Sequence, residues 1–260
     1  MWFVEVPATF EALATQGRRS VVEATRHGGH RRVLVDAAAP ELDPSCESYR
    51  PNEMISFAHN LALPLLDAGL PASKPHVKLL FSSVTDATLA GASILTTSMP
   101  VSVLGDPSSI GLRDGAFVVV APQAAGGSSA IAEAAIDGLL KEAAGRLVIV
   151  INPRLGNSPA LSTFEPAYLM RPLSLGYLRD QYAKKVDRVR ACLLRCYPHE
   201  WSVLFELPRG ATAVDVQAAD KGGQRWRYAG RFTSQPRAEQ LEALLQREMT
   251  RARDEGGLWQ

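Results

Sequence analysis

The chain lacks most of the features that announce a chemistry. Cysteine is scarce: Cys46, Cys192 and Cys196 are the only three in 260 residues. They are too few and too irregularly spaced for a disulfide framework, which fits a reducing compartment. No apolar run approaches the roughly 20 residues that a bilayer-spanning helix requires, so a protein that is soluble or at most peripheral to a membrane is expected. Charge of one sign is missing too. Lys and Arg total 28 against 27 for Asp and Glu, so the whole-chain field favours neither nucleic acid nor an acidic partner, and any electrostatic role must be local. Met1 to Pro7 has neither the basic flank nor the apolar segment of a secretory signal, and no organellar transit segment is expected among these residues. Internal repeats and low-complexity tracts are absent.

Catalytic signatures are equally thin. Gly126-Gly127-Ser128-Ser129-Ala130 lacks the glycine that follows the serine of a hydrolase nucleophile elbow. Its glycine spacing matches neither a dinucleotide fingerprint nor a P-loop. Cys192 and Cys196 have no second Cys or His pair at zinc-ligand spacing, and on a helix they read as two core-facing thiols. His27, His30, His59, His76 and His199 are scattered, without a Cys or Ser partner in a catalytic pattern. No catalytic residue, metal or cofactor is therefore predicted.

What is present is a parallel α/β pattern. Phe117 to Val120 is an apolar run closed by Ala121-Pro122-Gln123, where proline removes a backbone donor. Gly126, Gly127, Ser128 and Ser129 offer the turn and capping hydroxyls that start a helix with Ile131, Ala134, Ala135, Gly138 and Leu139 as its buried stripe. Leu147 to Ile151 is the second strand, closed by Asn152-Pro153-Arg154. Two strands without polar alternation, joined by a helix, require a parallel sheet covered on both faces. Upstream, Thr9 caps a helix buried through Phe10, Leu13, Gly17 and Val21, a strand follows at Val33 to Val35, and Met54, Phe57, Ala58, Leu61 and Leu65 mark a second helix containing Pro64. Val77 to Phe81 reads as a strand, Asp86 to Ala92 as a short helix and Pro100 to Leu104 as an edge strand. Downstream, strands are expected at Tyr168 to Met170, Trp201 to Leu207 and Arg225 to Phe232, with helices over Gln181 to Tyr197 and Pro236 to Arg253. Trp201, Trp226, Tyr228 and Phe232 read as core and edge packing. The fold class is α/β, a Rossmann-like mostly parallel sheet flanked by helices with a C-terminal α+β portion, all in one domain whose parallel core spans 1–156 and is completed by 157–260.

Two constellations carry functional expectations. In open parallel sheets ligands collect beyond the carboxyl ends of strands, where a helix N-terminus offers free amides. Gln123, Gly126, Gly127, Ser128, Asn152 and Arg154 could converge there on an anion such as a phosphorylated small molecule; otherwise they simply start a helix and tie down a loop. The second is the segment Arg171 to Arg195, with seven basic residues against two acidic ones. As a helix it places Lys184, Arg188 and Arg195 opposite Val186, Val189, Leu193 and Cys196, giving a basic face for anionic lipid headgroups, an acidic protein segment or RNA, or merely a solvated surface. Aromatic residues are too sparse there for single-stranded nucleic acid.

Val6-Pro7 with the Phe10 helix, the block Ala116 to Gln123, the block Val148 to Gly156, the block Tyr168 to Leu173, and Tyr197-Pro198 before Trp201 occur in one order. On these the chain resembles the plant, algal and cyanobacterial family built on the domain of unknown function 1995. The resemblance spans nearly the whole chain and implies a chloroplast stromal protein, peripheral to thylakoids at most, that supports photosystem II assembly or maintenance through contacts with assembly proteins or the membrane surface. It supplies no catalytic residues. One relative is fused to a plastid adenylate kinase, but that activity belongs to another domain whose phosphate-binding loop is absent here. Leu175 to Leu194 is longer and more basic than the family pattern, which leaves room for a lineage-specific partner.

Overall fold

A computed structural model of the chain describes residues 5–44, 46–68, 70–94, 97–123, 129–155, 158–175, 189–207, 216–219 and 225–255. It is an α/β protein with a mostly parallel sheet flanked by helices and a C-terminal part of strands and a helix. The chain divides into two compact units, Ala14–Leu169 and Met1–Leu13 with Met170–Gln260.

The larger unit is built as the apolar runs require. Helix α1 (Phe10–Val22) starts where Ala12 N–H donates to Thr9 Oγ1 at 3.2 Å. It extends through a π-helical turn, Glu23–His27, to β1 (Arg32–Ala37). Gly17 lets α1 approach the next helix closely, since a Cβ there would lie 3.3 Å from Leu61. Helix α2 (Pro51–Ala68), β2 (His76–Phe81), α3 (Val84–Ser93), the short β3 (Val101–Val103), β4 (Asp114–Val120), α4 (Ala130–Ala143) and β5 (Leu147–Ile151) follow. Strands β4 and β5 are buried at every residue, which explains their lack of polar alternation. The strand order is β3-β2-β4-β5-β1, and every pairing in it is parallel. Val120 stands opposite Ile151, and Val35 opposite the same residue from the other side.

Right-handed crossovers place α2 and α3 on one face and α4 on the other. On the α4 face, Leu139 and Ala143 cluster with Leu80, Phe117, Val119, Val148 and Val150. The expected stripe of α4 is out of phase: Ala132, Ile136, Leu139 and Ala143 are buried, whereas Ile131 is 70% exposed. Alanine is nearly neutral between core and surface, so Ile136 sets the phase and Ile131 is turned outward.

The division between the units falls inside α1, after Leu13, and inside β6 (Glu165–Leu175), after Leu169. In the second unit come β7 (Val189–Cys196), β8 (Trp201–Glu206), β9 (Val216–Ala219), β10 (Arg225–Phe232) and α5 (Ala238–Asp254), in the order β6-β7-β8-β10-β9. The pairings β7–β8, β8–β10 and β10–β9 are antiparallel. Strand β7 overturns the part of the helix expected over Gln181 to Tyr197 that falls on Val189–Cys196, while residues 181–188 lie outside the described residues. Ala191, Cys192, Leu193 and Leu194 are all buried, a two-faced burial that a strand between neighbours satisfies and a one-sided surface helix does not. Pairing to β8 outweighs the local helical pattern.

Candidate functional site

The carboxyl ends of the parallel strands meet on one rim, as the sequence leads one to expect. Strands β4 and β5 end in matched fashion: Ala121 and Asn152 both adopt left-handed backbone, with φ of 44° and 46°, and each precedes a proline. Gln123 and Arg154 then form an isolated parallel bridge, Arg154 N–H donating to the Pro122 carbonyl at 2.9 Å.

The topology sets two crevices on this rim, wherever adjacent strands send their following connections to opposite faces. One lies between β2 and β4, the other between β5 and β1. Asn152 fills the second. It is completely buried, its Oδ1 accepts the Ala37 N–H at 2.7 Å, and its Nδ2 donates to the Ala37 carbonyl at 3.0 Å and weakly to that of Leu42 at 3.5 Å. Its own N–H donates to Val35 O at 2.7 Å. Each of these polar groups is satisfied by protein, so the carboxamide closes the crevice. Beside it, Arg154 Nη2 lies 3.2 Å from Asp43 Oδ2. Arg154 Nε and Nη2 are nonetheless shielded from solvent and make no aligned hydrogen bond among the described residues.

The β2–β4 crevice is bounded by Ser82, whose hydroxyl donates to Ala121 O at 3.3 Å, and by Ser83, which caps α3 by accepting from Asp86 N–H at 3.0 Å. Asp86 already occupies that helix N-terminus with negative charge. Its field reaches Tyr49, where burial first and Asp86 second push the phenol above its ordinary value. The residues at this rim include Asp36, Glu41, Asp43, Glu47, Asp86 and Asp106 against Arg50 and Arg154. Hydrogen bonds from the Ser108 backbone and side chain hold the Asp106 carboxyl below its usual range. The rim is acidic, and sequence reasoning missed this. The signal was there in Asp36, Glu41 and Asp43, gathered within eight positions at the end of one strand.

The sequence-predicted candidates therefore separate. Gln123, Asn152 and Arg154 come together. Gly126, Gly127 and Ser128 lie outside the described residues. Ser129 precedes α4 without a side-chain capping bond, so its hydroxyl does not act as expected. Lys184 and Arg188 also lie outside the described residues, while Arg195 sits in β7 rather than on a helix. Its guanidinium donates to the His199 carbonyl and lies over the rings of Tyr197 and Trp201, 5.7 and 5.8 Å from their centroids. Arg195 is thus spent on local packing. Cys192 and Cys196 are buried as expected, but on a strand rather than a helix.

The opposite, amino-terminal rim holds a cluster the sequence did not reveal. Asp114 is buried and accepts the Gly111 N–H at 2.6 Å, with Lys78 Nζ at 3.3 Å and His76 Nδ1 at 3.6 Å. In the second unit, Arg227 is only 1% exposed, with Nε 3.0 Å from Glu248 Oε2 and Nη1 2.5 Å from Glu255 Oε2. Both are tertiary clasps. Among the described residues no group of three His, Cys, Asp or Glu side chains is arranged to hold a metal, and no helix is long and apolar enough to cross a membrane.

The protein-family model described as Domain of unknown function (DUF1995) matches residues 7–243.

Proposed function

We propose, from the premise that the chain belongs to the family of the domain of unknown function DUF1995, that it is a non-enzymatic plastid protein supporting photosystem II assembly or maintenance through protein and membrane-surface contacts. The observation that supports contact over chemistry is the closure of the strand-end crevice by Asn152, on a rim whose carboxylates repel anionic substrates. A stromal location, with photosystem assembly proteins or the thylakoid surface as partners, is the setting that this reading requires. Affinity purification of the tagged chain from its native organism tests it. Photosystem assembly intermediates should be enriched, and loss of the gene should lower photosystem II content. Recovery of metabolic enzymes alone, with photosystem II unchanged, would remove the reading.

A second reading has one observation in its favour. The Arg154 fork has solvent-shielded N–H groups without aligned acceptors, a geometry suited to two oxygens of a phosphate. A phosphorylated small molecule would then sit near Gln123, Gly127, Asn152 and Arg154. Binding would raise thermal stability by RT ln(1 + [L]/Kd) across a panel of nucleotides and sugar phosphates. Silence across the panel, or a shift that survives Arg154→Ala, would count against it.

A further inference from the structure

The charges of the larger unit are segregated between its two rims, and this segregation points to a surface. Because β1, β2, β4 and β5 are parallel, the residues that lead into them share the amino-terminal rim. Those residues are basic in every case: Arg31 and Arg32 at β1, Lys74 before β2, Arg113 before β4, and Arg146 before β5. Backbone bonds fix their neighbourhood, since Val148 N–H donates to Arg31 O at 2.8 Å and His76 N–H to Arg113 O at 3.2 Å.

Cations near helix C-termini are commonly explained by the helix dipole. That accounts for Arg146, which donates to the Ala143 and Glu142 carbonyls that end α4. It does not account for Arg31, Lys74 or Arg113, which introduce strands. The buried carboxylate on this rim, Asp114, is already engaged by Lys78 and His76. Asp67 and Glu142 are exposed at the ends of α2 and α4 and offset part of the charge. The rim stays cationic, although the chain as a whole carries only +1.

An apolar side chain stands among these cations. Leu112 is 93% exposed, next to the exposed Arg113. We infer that the amino-terminal rim of the parallel sheet is a docking surface for a bilayer rich in anionic lipid, with the arginines on headgroups and Leu112 inserted at the acyl boundary. Cations flanking an exposed leucine match the two attractions of peripheral membrane binding. Nucleic acid is less well matched, because among the described residues this rim presents no exposed aromatic platform for bases. The inference does not rest on photosystem assembly: vesicle binding without photosystem partners would leave it standing and remove that reading.

Co-sedimentation of the full chain with vesicles tests it. The chain should bind vesicles of phosphatidylcholine and phosphatidylglycerol in equal parts, fail to bind pure phosphatidylcholine, and lose binding as salt is raised. Arg31→Glu with Arg113→Glu should weaken the partition by about thirtyfold or more, since each basic residue near an anionic surface contributes about a factor of five. Leu112→Asp should weaken it several-fold, and Arg50→Glu, on the other rim, should leave it unchanged. Far-ultraviolet circular dichroism checks that each variant is folded. Equal affinity for neutral vesicles, equal loss in Arg50→Glu, or capture by single-stranded RNA at lower concentration than by vesicles would overturn the inference.

Discussion

Asn152 shows how a residue that reads as a ligand contact becomes an architectural one. Its hydrogen bonds reach a residue 115 positions away in sequence, a partner that no local pattern can disclose. Asn152→Ala should lower stability by about 2–4 kcal/mol in urea denaturation, because it orphans the buried Ala37 N–H and carbonyl and puts a poorer left-handed residue at φ 46°. A loss under 1 kcal/mol would mean that water replaces the carboxamide and the crevice is open. The matched position, Ala121, is strained in the same sense, so Ala121→Gly should stabilise the protein by about 0.5–1 kcal/mol. Cysteine chemistry was partly legible. Burial, then the neighbouring Cys196, pushes the Cys192 thiol up to about 12, which leaves it protonated at mildly alkaline pH. Alkylation of the native protein followed by mass spectrometry should modify the half-buried Cys46 well before Cys192.

Elements that bury a continuous apolar run were readable, and elements defined by distant pairing were not. The β4-α4-β5 unit, its parallel sense and its shared rim follow from two unbroken apolar runs and a helix between them. Strand β7 was read as a helix because its residues satisfy both periods, and only β8 decides between them. Strand β9 gave no signal. Helix α5 was anticipated, but not its anchor, since Arg227 looked like a polar residue of a half-exposed strand. Arg227→Ala should cost about 3–5 kcal/mol by stranding the buried Glu248, whereas Arg227→Met combined with Glu248→Leu should recover most of the loss. Single and double variants of equal stability would show that the pair carries no coupling. Acid acts on the same clasp. Burial works upward on the Glu255 carboxyl, but its bonds to Arg227 and then Arg251 outweigh this and hold it below its usual 4.5. Its contribution is therefore complete above the unfolded value and is lost as pH falls through the depressed folded one. Unfolding followed by circular dichroism should show stability falling below about pH 4.5, with a weaker fall in Glu255→Gln.

Across the larger unit, a nearly neutral chain is sorted into an acidic carboxyl-end rim and a basic amino-end rim. Composition conceals this sorting, because the residues concerned are spread along more than a hundred positions and only the parallel topology collects them. The sequence pointed instead to a basic segment around Lys184 and Arg188, and to the carboxyl-end rim as the place of function. Function is inferred for the basic rim instead, since on the carboxyl-end rim Asn152 and the Arg154–Asp43 pair close the β5–β1 crevice. One fractionation of the native organism tests this most directly, by measuring how much of the chain stays with washed thylakoids in the wild type, in Arg154→Ala and in Arg31→Glu with Arg113→Glu. The account predicts retention in the first two and release in the third; release of Arg154→Ala with retention of the double reversal would contradict it.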